Sequence, residues 1–81
     1  MRIDKFLKVS RILKRRTVSA DACKAGKVEA NGREVKPSYT VKVGDVIVLK
    51  YSGGSVKFEI VDVKETVKKD EAASLYRIIS D

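Results

Sequence analysis

Histidine and tryptophan are absent from this 81-residue sequence, and cysteine, proline and methionine each occur once. Without histidine there is no imidazole to shuttle protons, no Ser-His-Asp triad and no ordinary zinc site. A lone cysteine, Cys23, makes neither an intrachain disulfide nor a CxxC redox pair. No apolar run approaches the ~18 residues of a membrane span, and the N-terminus is too polar for a secretory signal. A cytoplasmic protein is therefore expected. At this length folding buries little more than ~60% of the unfolded surface, which leaves no room for a large internal active site. The patterns GxxxxGK[ST], GxGxxG, HExxH and GxSxG are missing, and no carboxylate pair sits in an apolar setting that would raise a pKa. The expectation is a protein that is not an enzyme, with no cofactor and no metal.

What the sequence has in excess is positive charge, and on one side. Lys and Arg number 18 against 11 Asp and Glu, a formal net charge of +7. Residues 1–36 hold 11 of the basic and four of the acidic side chains, whereas residues 37–81 hold seven of each sign. A surface that serves solubility alone intersperses its charges. This distribution points to a polyanionic partner for the N-terminal half.

Ile3, Phe6, Leu7, Ser10 and Leu13 recur at spacings of three and four and predict a helix over 3–13, with Asp4, Lys8, Arg11 and Arg15 on its other face. Asp4 and Lys8 stand as i,i+4 partners. Thr17 reads as the N-cap of a second helix over 18–25, which turns Val18, Ala22, Cys23 and Ala25 inward and ends at Gly26. Cys23 is then a small core residue rather than a reactive thiol. From Gly26 the period changes to two. Val28 and Ala30 alternate with Lys27 and Glu29, and Asn31-Gly32 signals a two-residue hairpin turn before a return over 33–36. Residues 41–45 lead through a turn, which Asp45 serves, into a strand over 46–51. Gly53-Gly54 then reverses the chain into a strand over 56–63, where Val61 and Val63 break the alternation and suggest a bulge. Asp70 reads as the cap of a closing helix over 71–79, on the stripe Ala72, Leu75, Tyr76 and Ile79. The expected architecture is one α+β domain over residues 1–81. It has two short N-terminal helices, a small mostly antiparallel sheet of about four strands and a C-terminal helix.

Lys14-Arg15-Arg16 lies directly before the second helix, where exposed N–H groups and the helix dipole favour an anion. Arg2, Lys5, Lys8 and Arg11 precede it. Arginine offers a planar fork for phosphate, so Arg15 and Arg16 are the better positioning residues of the triplet. Phe6 and Phe58 read as core, leaving only Tyr39 or Tyr51 to stack on a base. Recognition by phosphate and shape is the expected mode.

Arg2-Ile3-Asp4-Lys5-Phe6-Leu7, Arg16-Thr17, Gly26-Lys27-Val28-Glu29-Ala30-Asn31-Gly32 and Val43-Gly44-Asp45 follow one another in an order that resembles the RNA-binding domain of the small-subunit ribosomal protein S-four type, the alpha-L motif. The match runs over roughly residues 1–50, with 51–81 forming a C-terminal strand and helix. In that family the two helices and the hairpin after them form one basic RNA-binding face. The resemblance carries this role to Arg2, Lys5, Lys8, Arg11, Arg15, Arg16, Thr17, Lys27, Asn31, Arg33 and Lys36, and Lys14 joins them from the basic triplet. Lys68-Lys69-Asp70-Glu71-Ala72-Ala73 followed by Leu75-Tyr76 is similar to the tail of stand-alone members: the RqcP type of bacterial ribosome-associated quality control and its heat-shock relatives. The heat-shock relatives carry a longer basic extension. The resemblance implies a non-enzymatic factor that binds 23S rRNA and peptidyl-tRNA on an obstructed 50S subunit. It also implies support for C-terminal tailing of the stalled nascent chain by a partner tailing factor. A monomer is expected. Ala22 and Cys23 are smaller than the aliphatics common there, and Ala30 stands where valine is frequent, which implies a looser core.

Three other readings compete. The first is an RNA-binding module acting on other structured RNA, such as one detached from a pseudouridine synthase. Met1 opening the domain and a packed closing helix speak against it. The second is a helix-turn-helix DNA binder, but residues 18–24 contain no Arg, Asn or Gln to read base edges. The third is a membrane-surface helix, for which no basic stripe carries the needed apolar face.

Overall fold

The computed structural model describes residues 1–79. Two helices come first, α1 (Ile3–Val9) and α2 (Arg16–Lys24). They are followed by β1 (Val28–Ala30), β2 (Arg33–Glu34), β3 (Val46–Tyr51), β4 (Gly54–Ile60), a 3-10 helix (Lys69–Leu75) and β5 (Tyr76–Ile78). The strands form one antiparallel sheet in the order β2-β1-β3-β4-β5. This is the expected α+β architecture with one more strand and a different closing element. Of the domain read over residues 1–81, Ser80 and Asp81 lie outside the described residues.

Side chains alternate across a strand, so each strand sends every second residue to the same face. The register aligns those residues: Ala30 lies opposite Ile47, and Ile47 opposite Phe58. Ile3, Phe6 and Leu7 of α1, Cys23 of α2 and Leu75 of the 3-10 helix close over that face in one core cluster. Phe58 meets Tyr76 edge-on, with ring centroids 5.5 Å apart. The first residues are laced to the segment before β3. The Ile3 N–H donates to the Tyr39 carbonyl at 2.7 Å, and the Val41 N–H to the Met1 carbonyl at 2.9 Å.

Both helices differ from their patterns in an instructive way. α1 stops at Val9 rather than 13, because Arg11 swings into the left-handed region at φ 62°. The Leu13 N–H then returns to the Leu7 carbonyl at 3.0 Å, and Ile12 and Leu13 pack on the core without being helical. Thr17 is not a cap: Arg15 occupies the N-cap position, no side chain caps this end, and Thr17 lies inside α2. The inward face of α2 is set by Ser19 and Cys23, one turn apart, while Val18 is 46% exposed and Ala25 is exposed. Ser19 can take an inward position because its hydroxyl donates to the Arg15 carbonyl at 3.2 Å.

The closing helix over 71–79 is replaced. Residues 69–75 wind as a 3-10 helix, which buries Ala72 and Leu75 at its natural spacing of three. Asp70 lies in its first turn; the cap position is Lys68, whose N–H donates to the Glu71 carboxylate at 3.4 Å. From Tyr76 the open edge of β4 takes over. Tyr76 pairs with Ile60 and Ile78 with Phe58, so β5 covers an edge that would otherwise expose unpaired backbone. β4 itself ends at Ile60 instead of continuing to 63 through a bulge. The N–H groups of Val61 and Asp62 both turn to the Leu75 carbonyl, at 2.9 and 3.2 Å.

Candidate nucleic-acid interface

Asp4, in the first turn of α1, is 3% exposed although charged. A buried carboxylate needs cations and hydrogen bonds around it. Here Arg2 donates to both its oxygens, from Nε at 3.3 Å and Nη2 at 3.1 Å, and Arg16 Nε lies 3.5 Å from Oδ1. Asp4 therefore pairs with these two arginines and not with Lys8, and it ties the first turn of α2 to the first turn of α1. The Arg2 and Arg16 side chains stay 52% and 49% exposed. Arg2 is held by one edge of its guanidinium, through Nε and Nη2, and Arg16 by an ion pair through Nε alone, and both side chains remain half-exposed and open to a phosphate.

The other cations expected at the interface fall into three groups. Lys5 is engaged, its ammonium 2.5 Å from Glu65; that hydrogen bond and the Lys5 charge hold the Glu65 carboxyl below its usual range. Lys8, Arg11 and Lys14 are exposed and line an open cleft of about 470 Å³ beside residues 65–67. Arg15 is exposed next to them, with Thr17 exposed on α2. Lys27, Arg33 and Lys36 are exposed on and around the hairpin of β1 and β2. Arg2 and Lys36 share, with Lys24, a second opening of about 510 Å³ beside Pro37, which links the hairpin to the Asp4 cluster. Among the described residues no ion pair involves Lys8, Arg11, Lys14, Arg15, Lys27, Arg33 or Lys36. On the sheet, by contrast, Lys50 pairs with Glu29 and Arg77 with Glu59.

Asn31 has a different place from the one expected. Asn31 (φ 54°) and Gly32 (φ 87°) form the two-residue turn, but the Asn31 amide is committed. It donates to Asp45 at 3.0 Å and accepts the Val46 N–H at 3.0 Å. Asp45, 5% exposed, also accepts from the Tyr39 hydroxyl at 2.8 Å and the Lys42 N–H at 2.9 Å. Burial alone would raise its pKa; the bonds from Asn31, Tyr39 and Lys42 outweigh burial and hold it below the usual carboxylate range. Burial and the bond to Asp45 push the Tyr39 phenol up. With Tyr39 so occupied, Tyr51, 55% exposed at the end of β3, is the aromatic left for stacking. Burial, and then the nearby Asp4 charge, push the Cys23 thiol up to about 11, so it stays protonated as a core residue.

Sequence reasoning missed Asp4 as a double anchor, Lys24 beside the hairpin, and the contribution of residues 65–67. No local pattern announces any of them. The Asp4–Arg16 pair crosses a turn between helices, and the partners of the Lys5–Glu65 pair stand 60 positions apart.

Among known proteins, the S4 domain family model matches residues 1–47. The chain is 47% identical over 78 residues to the RQC P-site tRNA stabilizing factor of Halalkalibacterium halodurans, covering 96% of this chain and 89% of that one. It is 41% identical over 81 residues to the protein of the same description from Bacillus subtilis, covering 100% and 94%. The fold is similar to the trimeric structure of Heat Shock Protein 15 from Vibrio cholerae, with a TM-score of 0.91 at 31% identity over 99% of this chain and 82% of that one. It is also similar to the solution structure of HP1423, with a TM-score of 0.85 at 34% identity over 100% and 99%.

Proposed function

The chain belongs to the S4 domain family, and from that premise we propose that it is a non-catalytic RNA-binding factor of ribosome-associated quality control. In this reading it works in the cytoplasm as a monomer, binding 23S rRNA and P-site peptidyl-tRNA on obstructed 50S subunits. By holding that tRNA it supports C-terminal tailing of the stalled nascent chain by a partner tailing factor. Relatives described as RQC P-site tRNA stabilizing factors, similar to this chain over nearly its full length, support the tRNA half of the reading. The observation that carries the RNA half is the set of unpaired cations from Lys8 to Arg15 beside the two arginines that Asp4 holds.

Such a surface acts by neutralising phosphates and fixing orientation. Lys8, Lys14 and Arg15 supply point charges and a mobile fork, Arg2 supplies a fork anchored on Asp4 with Arg16 ion-paired beside it, and Lys27, Arg33 and Lys36 extend the charge along the hairpin. If five or six phosphates are engaged, log K falls against log salt with a slope of about −4 to −5.

Arg16 tests the reading. Arg16→Ala leaves Arg2 on Asp4, so the variant is expected to be folded by circular dichroism while losing about 1–3 kcal/mol of RNA binding. It should be depleted from the 50S fractions of a sucrose gradient and yield fewer tailed chains in stalled cells, with Arg16→Lys intermediate. Wild-type protein found with 30S particles, or with none, would overturn the ribosomal role.

A further inference from the structure

The C-terminal end of α1 faces residues 65–67 across the open cleft of about 470 Å³, a size within the ~300–1,000 Å³ of small-ligand sites. Its lining is of two kinds. Val9, Leu13 and Val67 present apolar surface and are held from behind by the core. Lys8, Arg11 and Lys14 carry three charges at the same opening, and among the described residues none of them is in an ion pair. The carboxylate of Glu65, also at the cleft, is already neutralised by Lys5.

Different partners use these features unequally. The backbone of an RNA helix would meet the cations and leave the apolar wall idle. An apolar peptide would do the reverse. An acidic peptide brings charge but no flat apolar face. A single unstacked nucleotide brings both, a phosphate and a ring whose faces are poorly hydrated, in one rigid unit. Arg11 adds a second observation: it holds a left-handed backbone (φ 62°) that ordinarily favours glycine, and so keeps a guanidinium at the cleft.

We propose that this cleft receives one unstacked nucleotide of the bound RNA, its base against Val9, Leu13 and Val67 and its phosphate held by Lys8, Arg11 and Lys14. The proposal rests on the RNA-binding reading above and deepens it, from phosphate recognition alone to recognition of an exposed base.

The test uses the full chain, with adenosine 5′-monophosphate, ribose 5-phosphate and a short glutamate peptide titrated at one ionic strength and followed by amide chemical shifts. The mononucleotide is expected to shift Val9, Arg11, Leu13, Thr66 and Val67. It should bind about five-fold or more tightly than ribose 5-phosphate, the worth of covering one face of a base. Val67→Glu should remove that preference, and the exposed Lys14→Glu, which keeps the test open if Val67→Glu does not fold, should weaken both phosphates. Lys57→Glu, on β4, should change neither. Equal binding of the mononucleotide and ribose 5-phosphate, tighter binding of the glutamate peptide, or shifts confined to other residues would overturn the proposal. Sedimentation with 50S particles separates the two ideas: with sedimentation intact and no base preference, the cleft falls alone. A base preference without sedimentation leaves the cleft standing and removes the ribosomal reading.

Discussion

α1 and α2 each place a left-handed residue just past the C-cap, after Ser10 and Ala25, and fill that position differently. α2 uses Gly26 (φ 74°), with the Gly26 N–H on the Cys23 carbonyl at 3.1 Å and the Lys27 N–H on the Ala22 carbonyl at 3.0 Å. α1 uses Arg11 (φ 62°), whose N–H reaches the Lys8 carbonyl at 3.0 Å. At Gly26 the Glu34 side chain crowds the backbone, so that a Cβ would stand 2.9 Å from its Oε1. At Arg11 the side chain is exposed and borders a cleft. A left-handed non-glycine residue costs about 1–2 kcal/mol. The α2 end is thus built to bring the hairpin close, whereas the α1 end keeps a charged group in a strained place where packing gives no reason for it. Strain retained without a packing return fits the binding role proposed for Arg11.

Exchanging the residue types is the strongest way to break this comparison. Gly26→Arg imposes the strain of Arg11 on a crowded site and is expected to cost about 1–3 kcal/mol, a fall in melting temperature of several degrees or more for a chain this small. Part of the crowding is relieved because the Glu34 carboxylate is the end of a flexible side chain. A melting temperature equal to wild type would mean that the two helix ends are interchangeable.

The two regions also differ in what holds them against acid. Beyond Gly26, the hairpin turn is fastened by the buried Asp45 through Asn31, Tyr39 and Lys42. Near Arg11, the Lys5–Glu65 pair is exposed and contributes little. Asp45 has a lower pKa folded than unfolded. Its contribution is therefore complete above the ordinary aspartate value, about 3.9, and is lost as pH falls through the folded value below that. Asp45→Asn is expected to cost about 1–2 kcal/mol at neutral pH and to flatten the fall in stability below about pH 4. The measurement is thermal melting across pH. An acid limb equally steep in the variant would place the titrating group elsewhere.

How much of this was legible in the sequence follows from the range of the interactions involved. The Asn31-Gly32 turn, the Gly26 cap and the alternation of β1, β3 and β4 are local signals, read directly from residues whose backbone or side-chain periodicity allows little else. The excess of cations in the N-terminal half was legible as charge asymmetry, but their division into paired and unpaired was not, because Asp4 chooses Arg2 and Arg16 through the packing of two helices. Tyr76, Arg77 and Ile78 fall inside the helix read over 71–79 from the stripe Ala72, Leu75, Tyr76 and Ile79. They form β5 because the edge of β4 lies within reach, and the sequence window that shows the stripe does not contain that edge. The same limit hid the left-handed turn at Arg11, since Ile12 and Leu13 reach the core with or without a helix.

The smallest effect is the most diagnostic one. Arg11→Gly places at the end of α1 the residue type that α2 uses, and nothing in the core loses a contact, since the Arg11 side chain is exposed. Relief of the left-handed strain, set against the extra freedom of glycine in the unfolded chain, leaves the variant as stable as wild type or more stable by up to about 1 kcal/mol. Its RNA affinity should nonetheless fall by several-fold, the loss of one charge-assisted contact at a solvent-facing site. The salt slope should become shallower by about one, because one fewer phosphate is neutralised. Melting and binding measured on the same sample decide the matter. A variant that is more stable and binds more weakly shows stability exchanged for function at this one position. A variant that loses stability would mean that the Arg11 side chain supports the turn, and one that binds RNA as tightly as wild type would mean that the strained cation plays no part in binding.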